Sequence, residues 1–213
     1  MSGQVTDQKK YSELRDTYKS YIDPYIALYQ LKADNDEELT SIYKTLKTNL
    51  IDSKKRHAQD VIRDIFNIIP YNNRYTKSYL RLAKFFVDEY QIKVVTYIPD
   101  ISRYLFHKEY GTYLCESTDF KFEKIENLDI HSENTIYRAI MYNDLEKIIT
   151  FTEQEDFNEI QELFNVLYPS NGQSLEFYTL LELCCYHGSV DCFKLLLTKF
   201  HSEITESVLN YHF

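Results

Sequence analysis

The residues of this chain best suited to chemistry are its cysteines and histidines, and one short stretch gathers most of the reactive ones: Cys184, Cys185, His187 and Cys192. Cys184 and His187 stand one helical turn apart, and Cys192 follows closely. A closed zinc site asks for four nitrogen or sulfur ligands, usually with CxxC-like pairs. Cys184, His187 and Cys192 offer three clustered candidates without such a pair. A Cys–His nucleophile needs an accessible thiolate of low pKa, whereas a cysteine inside a helix pair behaves as a small apolar group. His131, between Asp129 and Glu133, reads as a polar loop residue with no third group to complete a catalytic set. There is no Gly-rich phosphate loop, GxSxG elbow or HExxH pair. The expectation is therefore no catalytic residue, no metal and no cofactor. A metal-binding or enzymatic role for Cys184, His187 and Cys192 stands as the lesser alternative.

The elements that must hold those cysteines are written in Thr179 to Leu197, TLLELCCYHGSVDCFKLLL. Thr179 with Glu182 makes a capping box, in which side chain and backbone satisfy each other's first-turn groups. Leu180, Leu181, Cys184 and Cys185 form an apolar stripe at helical spacing. Gly188 stands where a helix ends in a left-handed residue, a conformation glycine takes without a Cβ penalty. Asp191 then places negative charge at the start of a second helix, whose apolar face is Phe193, Leu195, Leu196 and Leu197. A hairpin this short cannot bury both faces alone, so it demands stacked neighbours. Upstream, Asn134 to Ile140 matches Thr179 to Cys185, and Asn143 matches Gly188, asparagine being the next-best left-handed cap. The offset exceeds the ankyrin period of about 33 residues. Ile160, Leu163, Phe164 and Leu167 are expected to fill the surplus with a helix before Pro169 and Gly172. After Leu197, ITESVLNYHF reads as the first helix of a further unit, ending on Val208, Leu209, Tyr211 and Phe213.

This pattern resembles the ankyrin repeat, with Thr179, Leu181, Cys184, Cys185 and Gly188 on its signature positions and Phe193 to Leu197 on its V-K-L-L-L-like end. Leu180 stands for the usual Pro, and Glu182 for the His that ties neighbouring repeats together. With Ile69-Pro70-Tyr71-Asn72-Asn73 and Tyr137 to Met141, the chain is similar over nearly its whole length to a large ankyrin-type family expanded in trichomonad parasites. The resemblance implies a helical solenoid used for protein binding and brings no catalytic residues. An array that stops on an apolar half-repeat lacks the polar cap solenoids need, which reads as a chain shorter than its family's usual length.

Further toward the N-terminus, Tyr11, Leu14, Tyr18, Tyr21, Tyr25 and Leu28 fall three and four apart. That seam is shorter than the three to four heptads of a coiled coil. Pro24 predicts a kink, or a new helix capped by Asp23. Further helices are expected at Leu39 to Leu50 behind an Asn35–Glu38 box, at Val61 to Ile69 before Pro70, at Tyr79 to Tyr90, and at Ile98 to Phe106 up to Gly111. Lys93 to Thr96 has strand character without an evident mate. Residues Thr112 to Ser132 read as a long connection.

Composition agrees with a helical protein: only four glycines and four prolines, with twenty tyrosines and thirteen phenylalanines to fill a core. No apolar run reaches the roughly 18 residues of a membrane span, and MSGQVTDQKK lacks a secretory signal. A cytoplasmic or nuclear protein with reduced thiols is expected. The net charge of −9 has the wrong sign for a phosphate-neutralising chain. Lys54-Lys55-Arg56-His57 and the face Arg74, Lys77, Arg81, Lys84 read as solvated sides of amphipathic helices. The expected architecture is all-α, an N-terminal helical domain at residues 9–111 followed by a degenerate ankyrin-like α-solenoid at 128–213. The expected activity is non-catalytic binding of another protein, with no nucleic acid and no membrane. Arg138, Tyr142, Glu182, Tyr186 and His187 are its candidate contact residues. A structural, weakly self-associating protein joined through the tyrosine seam or the C-terminal half-repeat is the alternative.

Overall fold

A computed structural model describes residues 2–32, 35–115, 128–169, 177–200 and 204. It is predominantly helical, with ten α-helices among the described residues. The chain divides into two compact units, Met1–Phe122 and Glu123–Phe213.

In the first unit, α1 (Ser2–Thr17) runs into α2 (Lys19–Tyr29). The break falls at Tyr18, not at Pro24; the helix continues through Pro24, which lies inside α2 and is buried. Asn35 caps α3 (Asp36–Leu46) by accepting from the Glu38 N–H at 2.9 Å. A π-helical segment, Lys47–Asp52, carries the chain on and buries Leu50 as well as Leu46. α4 (Ala58–Ile68) stops before Pro70, whose ring cannot donate to the ladder. Two short 3₁₀ turns, Ile69–Tyr71 and Asn73–Tyr75, lead into α5 (Thr76–Tyr90). α6 (Asp100–Tyr110) ends at Gly111, whose φ of +65° is the left-handed cap glycine supplies. The stretch Lys93 to Thr96 forms no ladder; one backbone bond, from Val95 N–H to Leu114 O, ties it down.

The core of this unit is Leu28, Leu46, Ile62, Phe66, Tyr79 and Phe86 with their neighbours. Burying a phenol requires a partner for its hydroxyl. Tyr79 donates to the Leu28 carbonyl and accepts from Asn72 Nδ2, both at 3.0 Å, and burial pushes its pKa up to about 12. The Ile69-Pro70-Tyr71-Asn72-Asn73 phrase is thus the corner that pins the end of α2 to α5. Tyr25 reaches across to Asp64, which also accepts from Arg56 at 2.8 Å. Of the two basic groups, Arg56 pairs with Asp64, Arg81 with Asp36, and Lys84 with Asp88.

The described residues of the second unit start with a 3₁₀ turn, Leu128–His131, and contain two helical hairpins: α7 (Ile136–Met141) with α8 (Leu145–Thr152), and α9 (Leu180–His187) with α10 (Val190–Phe200). α7 packs on α9 and α8 on α10. The hairpin turns are alike. Asn143 and Gly188 both take the left-handed conformation, at φ 53° and 65°. The next residue's N–H then reaches back to a carbonyl five residues earlier, Asp144 to Ala139 and Ser189 to Cys184, both at 2.8 Å, the bond of a Schellman cap. At the other end the correspondence slips by one residue. Thr135, not Asn134, caps α7, accepting from Arg138 N–H, so α7 is shorter than α9.

The helix expected across Ile160 to Leu167 does not form. Asn158 and Asn165 accept from the N–H groups of Ile160 and Leu167, local turns that compete with a helix. A two-residue strand, β1 (Glu162–Leu163), instead pairs antiparallel with β2 (Tyr178–Thr179) in the register Glu162↔Thr179 and Leu163↔Tyr178. This small ladder is the departure from an all-α fold. The expected further helix after Leu197 falls, apart from Ile204 and the end of α10, outside the described residues.

Candidate functional site

Polar side chains of the second unit link the two hairpins at their turns and between α8 and α10. Their arrangement begins with Asn143, at the end of α7. Its left-handed backbone projects the amide toward the neighbouring hairpin, where Oδ1 accepts from the Asp191 and Cys192 N–H groups at 3.0 and 3.2 Å. Nδ2 donates to the Asp191 carboxylate at 2.8 Å. Asn143 therefore closes its own helix and caps α10, satisfying donors a helix start leaves orphaned. Ser189, next to α10, sends its hydroxyl to the Ile140 carbonyl rather than capping its own helix. Lys199 completes the seam by donating to Thr152 Oγ1 at 3.0 Å. Glu182, expected at a contact surface, is only 6% exposed; it holds the Thr179 N–H and hydroxyl as the partner in the capping box. Polar ties between the hairpins are thus supplied by Asn143, Ser189 and Lys199.

A second cluster lies beside them. The Tyr168 hydroxyl stands 2.8 Å from His131 Nε2 and 3.0 Å from His187 Nε2. A phenol supplies one proton, so at most one imidazole accepts from it and the other must donate. His131, read from sequence as a polar loop residue, is instead half-buried in this chain of hydrogen bonds. Burial, with the Arg138 charge nearby, brings its pKa down to about 4, so it is neutral at physiological pH. The Tyr186 and Tyr178 rings pack against Tyr168 at 5.0 and 5.3 Å between centroids. Three distant segments are joined here, which is why no periodicity announced Tyr168. Tyr186 and His187 are half-buried and finish the packing around Tyr168.

Arg138 and Tyr142 sit at the edge of the cluster. Arg138 Nη1 donates to the His131 carbonyl at 3.2 Å, and its guanidinium lies 4.7 Å from the Tyr142 ring centre, a cation–π distance. Tyr142 itself is 51% exposed. Of the five candidate contact residues, these two present a composite aromatic and cationic surface.

Three of the four cysteines lie in the α9–α10 hairpin. Cys184 and Cys192 are buried, and Cys185 is half-buried. Burial raises all three thiols, Cys192 to about 11, so the thiolate that acts as nucleophile or ligand is scarce at neutral pH. Among the described residues no three His, Cys, Asp or Glu side chains converge as a metal-ligand group. Nor is any helix there long and apolar enough to cross a membrane. Compared with protein-family models, curated proteins and solved structures, the chain finds no match.

Proposed function

We propose that this chain is a non-catalytic protein–protein interaction module, an ankyrin-type adaptor or scaffold in which the second unit is a short α-solenoid. The observation that carries the reading is the pair of hairpins laid side by side and tied by Asn143 and Ser189. Stacked helix pairs of this kind leave the non-core positions of their first helices facing outward. Here those positions offer Tyr142 beneath Arg138, a rigid aromatic with a polar tip, of the type favoured as an interface anchor. The raised thiols argue in the same direction, since they keep the cysteines in packing roles.

The experiment is affinity capture with the full chain from native cell extract, followed by mass spectrometry, comparing wild type with Tyr142→Ala and Arg138→Ala. Loss of one specific captured protein at unchanged helicity supports the reading. Capture that both substitutions leave intact moves the site off α7.

A further inference from the structure

Arg138 carries a charge that no carboxylate of the described residues answers. Five other arginines each hold an aspartate, Arg56 on Asp64 at 2.8 Å and Arg103 on Asp100 at 3.0 Å among them. Arg138 instead gives Nη1 to the His131 carbonyl at 3.2 Å and lies 4.7 Å from the Tyr142 ring centre. A guanidinium has five N–H donors, and the carbonyl takes one of them.

Acids are plentiful in this chain, thirty-three against twenty-four bases, so a missing counter-ion is not a matter of supply. Those at the hairpin turns are engaged elsewhere: Asp144 holds Lys147, and Asp191 accepts from Asn143. Arg138 is also half-buried, and a charge drawn out of water is costly unless it is paired. Its field reaches His131, where it adds to the burial that lowers that imidazole's pKa. A carboxylate already seated on the guanidinium would offset that effect.

We propose that Arg138 is the seat of one carboxylate from the partner protein, an Asp or Glu side chain beside an apolar residue that packs on the Tyr142 ring. This deepens the reading of the second unit as a binding module and rests on it. Arg138 and Tyr142 stand four residues apart, so one helical turn sets cation and ring side by side. The guanidinium fork matches a carboxylate in two-point geometry, and the ring, 51% exposed, offers apolar area next to it. A single arginine suits a single carboxylate, whereas phosphoryl groups are read by clusters of arginines. Glu133 and Glu146 are exposed on the segments either side of α7 and the net charge is −9. A run of acids is therefore repelled, and an isolated one is admitted.

The probe is a random peptide library displayed on phage, panned against the full chain and against Arg138→Gln, Arg138→Glu and Tyr142→Ala. Circular dichroism checks that each variant keeps its helicity. Enriched peptides are synthesised and titrated by fluorescence anisotropy. The wild-type chain is expected to select one Asp or Glu next to an aliphatic or aromatic residue. Changing that acid to its amide in the peptide, which needs no protein variant, should weaken binding by about ten-fold or more. Arg138→Gln should no longer select the acid, and Arg138→Glu should select Lys or Arg in its place. Tyr142→Ala should lose the preference for the apolar neighbour. Peptides that bind without an acid, or that bind wild type and Arg138→Gln alike, overturn the proposal and leave the binding-module reading standing. Tighter binding of phosphoserine than of Asp or Glu at that position overturns the carboxylate assignment. Enrichment of no peptide overturns both.

Discussion

Replacing Asn143 separates its two roles, because glycine keeps one and alanine keeps neither. Asn143→Gly retains easy access to φ 53° but removes the amide that accepts from Asp191 and Cys192 N–H and donates to the Asp191 carboxylate. Loss of an N-cap costs about 1 kcal/mol, within a range of roughly 0.5–2. Asn143→Ala loses the same cap and adds the left-handed penalty of a Cβ, roughly 1–2 kcal/mol, so it is expected to cost about 2–3 kcal/mol. A chain of two units need not unfold in one step, so the assay must be local. Hydrogen exchange at the Asp191 and Cys192 amides reads the cap itself. Protection of α10 should fall by roughly five-fold or more in Asn143→Gly and by a further factor in Asn143→Ala. An additional Asp191→Ala should cost less in the Asn143→Gly background than in wild type, since the partners are coupled. Protection unchanged in Asn143→Gly would refute the cross-hairpin cap, and equal protection in the glycine and alanine variants would refute the left-handed cost.

Further expectations follow from the same geometry. Gly188→Ala meets no atom within 4 Å of the added Cβ, so its cost is conformational only, about 1 kcal/mol by denaturation; Gly188→Asn should be close to neutral. His131 is held neutral in the fold with a pKa of about 4, below its unfolded value of about 6.5. Between those values the unfolded chain takes up a proton that the fold refuses. Stability of the second unit should therefore be full above pH 6.5 and fall as pH drops toward 4, by up to about 3 kcal/mol. His131→Gln should flatten that slope relative to wild type, and an unchanged slope counts against the burial argument. Tyr168→Phe leaves two buried imidazole nitrogens without their hydroxyl and should destabilise by about 1–3 kcal/mol, measured as a lower melting temperature. Alkylation by iodoacetamide at pH 8 should modify Cys115 and Cys185 well before Cys184 and Cys192, which are buried; equal rates would contradict that burial.

What could be read from the sequence was whatever lies within about one helical turn of itself. The Thr179–Glu182 box, the Asn35 cap, the stop before Pro70 and the left-handed Asn143, Gly111 and Gly188 are each decided by residues three to five positions apart. Apolar periodicity likewise located α4, α5 and α9, because burying one face of a helix needs no knowledge of what buries it. It failed between Ile160 and Leu167, where the spacing was helical but two asparagines offered the backbone nearer partners. It failed differently in α1, where a regular stripe says only that a face is apolar, not whether anything covers it.

The site was less legible because its contacts are long-range. Tyr168 bonds to histidines 37 and 19 residues away, and the Asn143 amide works on residues 48 and 49 positions downstream. No spacing rule reaches so far, and the extra length between the hairpins does not loosen them, since closing a longer loop costs little once the ends are held. The hold is specific. Glu182 holds the Thr179 N–H and hydroxyl in the capping box of its own helix. The tie from the turn after α7 comes from Asn143, and of the residues tolerant of a left-handed turn, asparagine carries both a donor and an acceptor. Gly188, at the matching position of the second hairpin, carries neither.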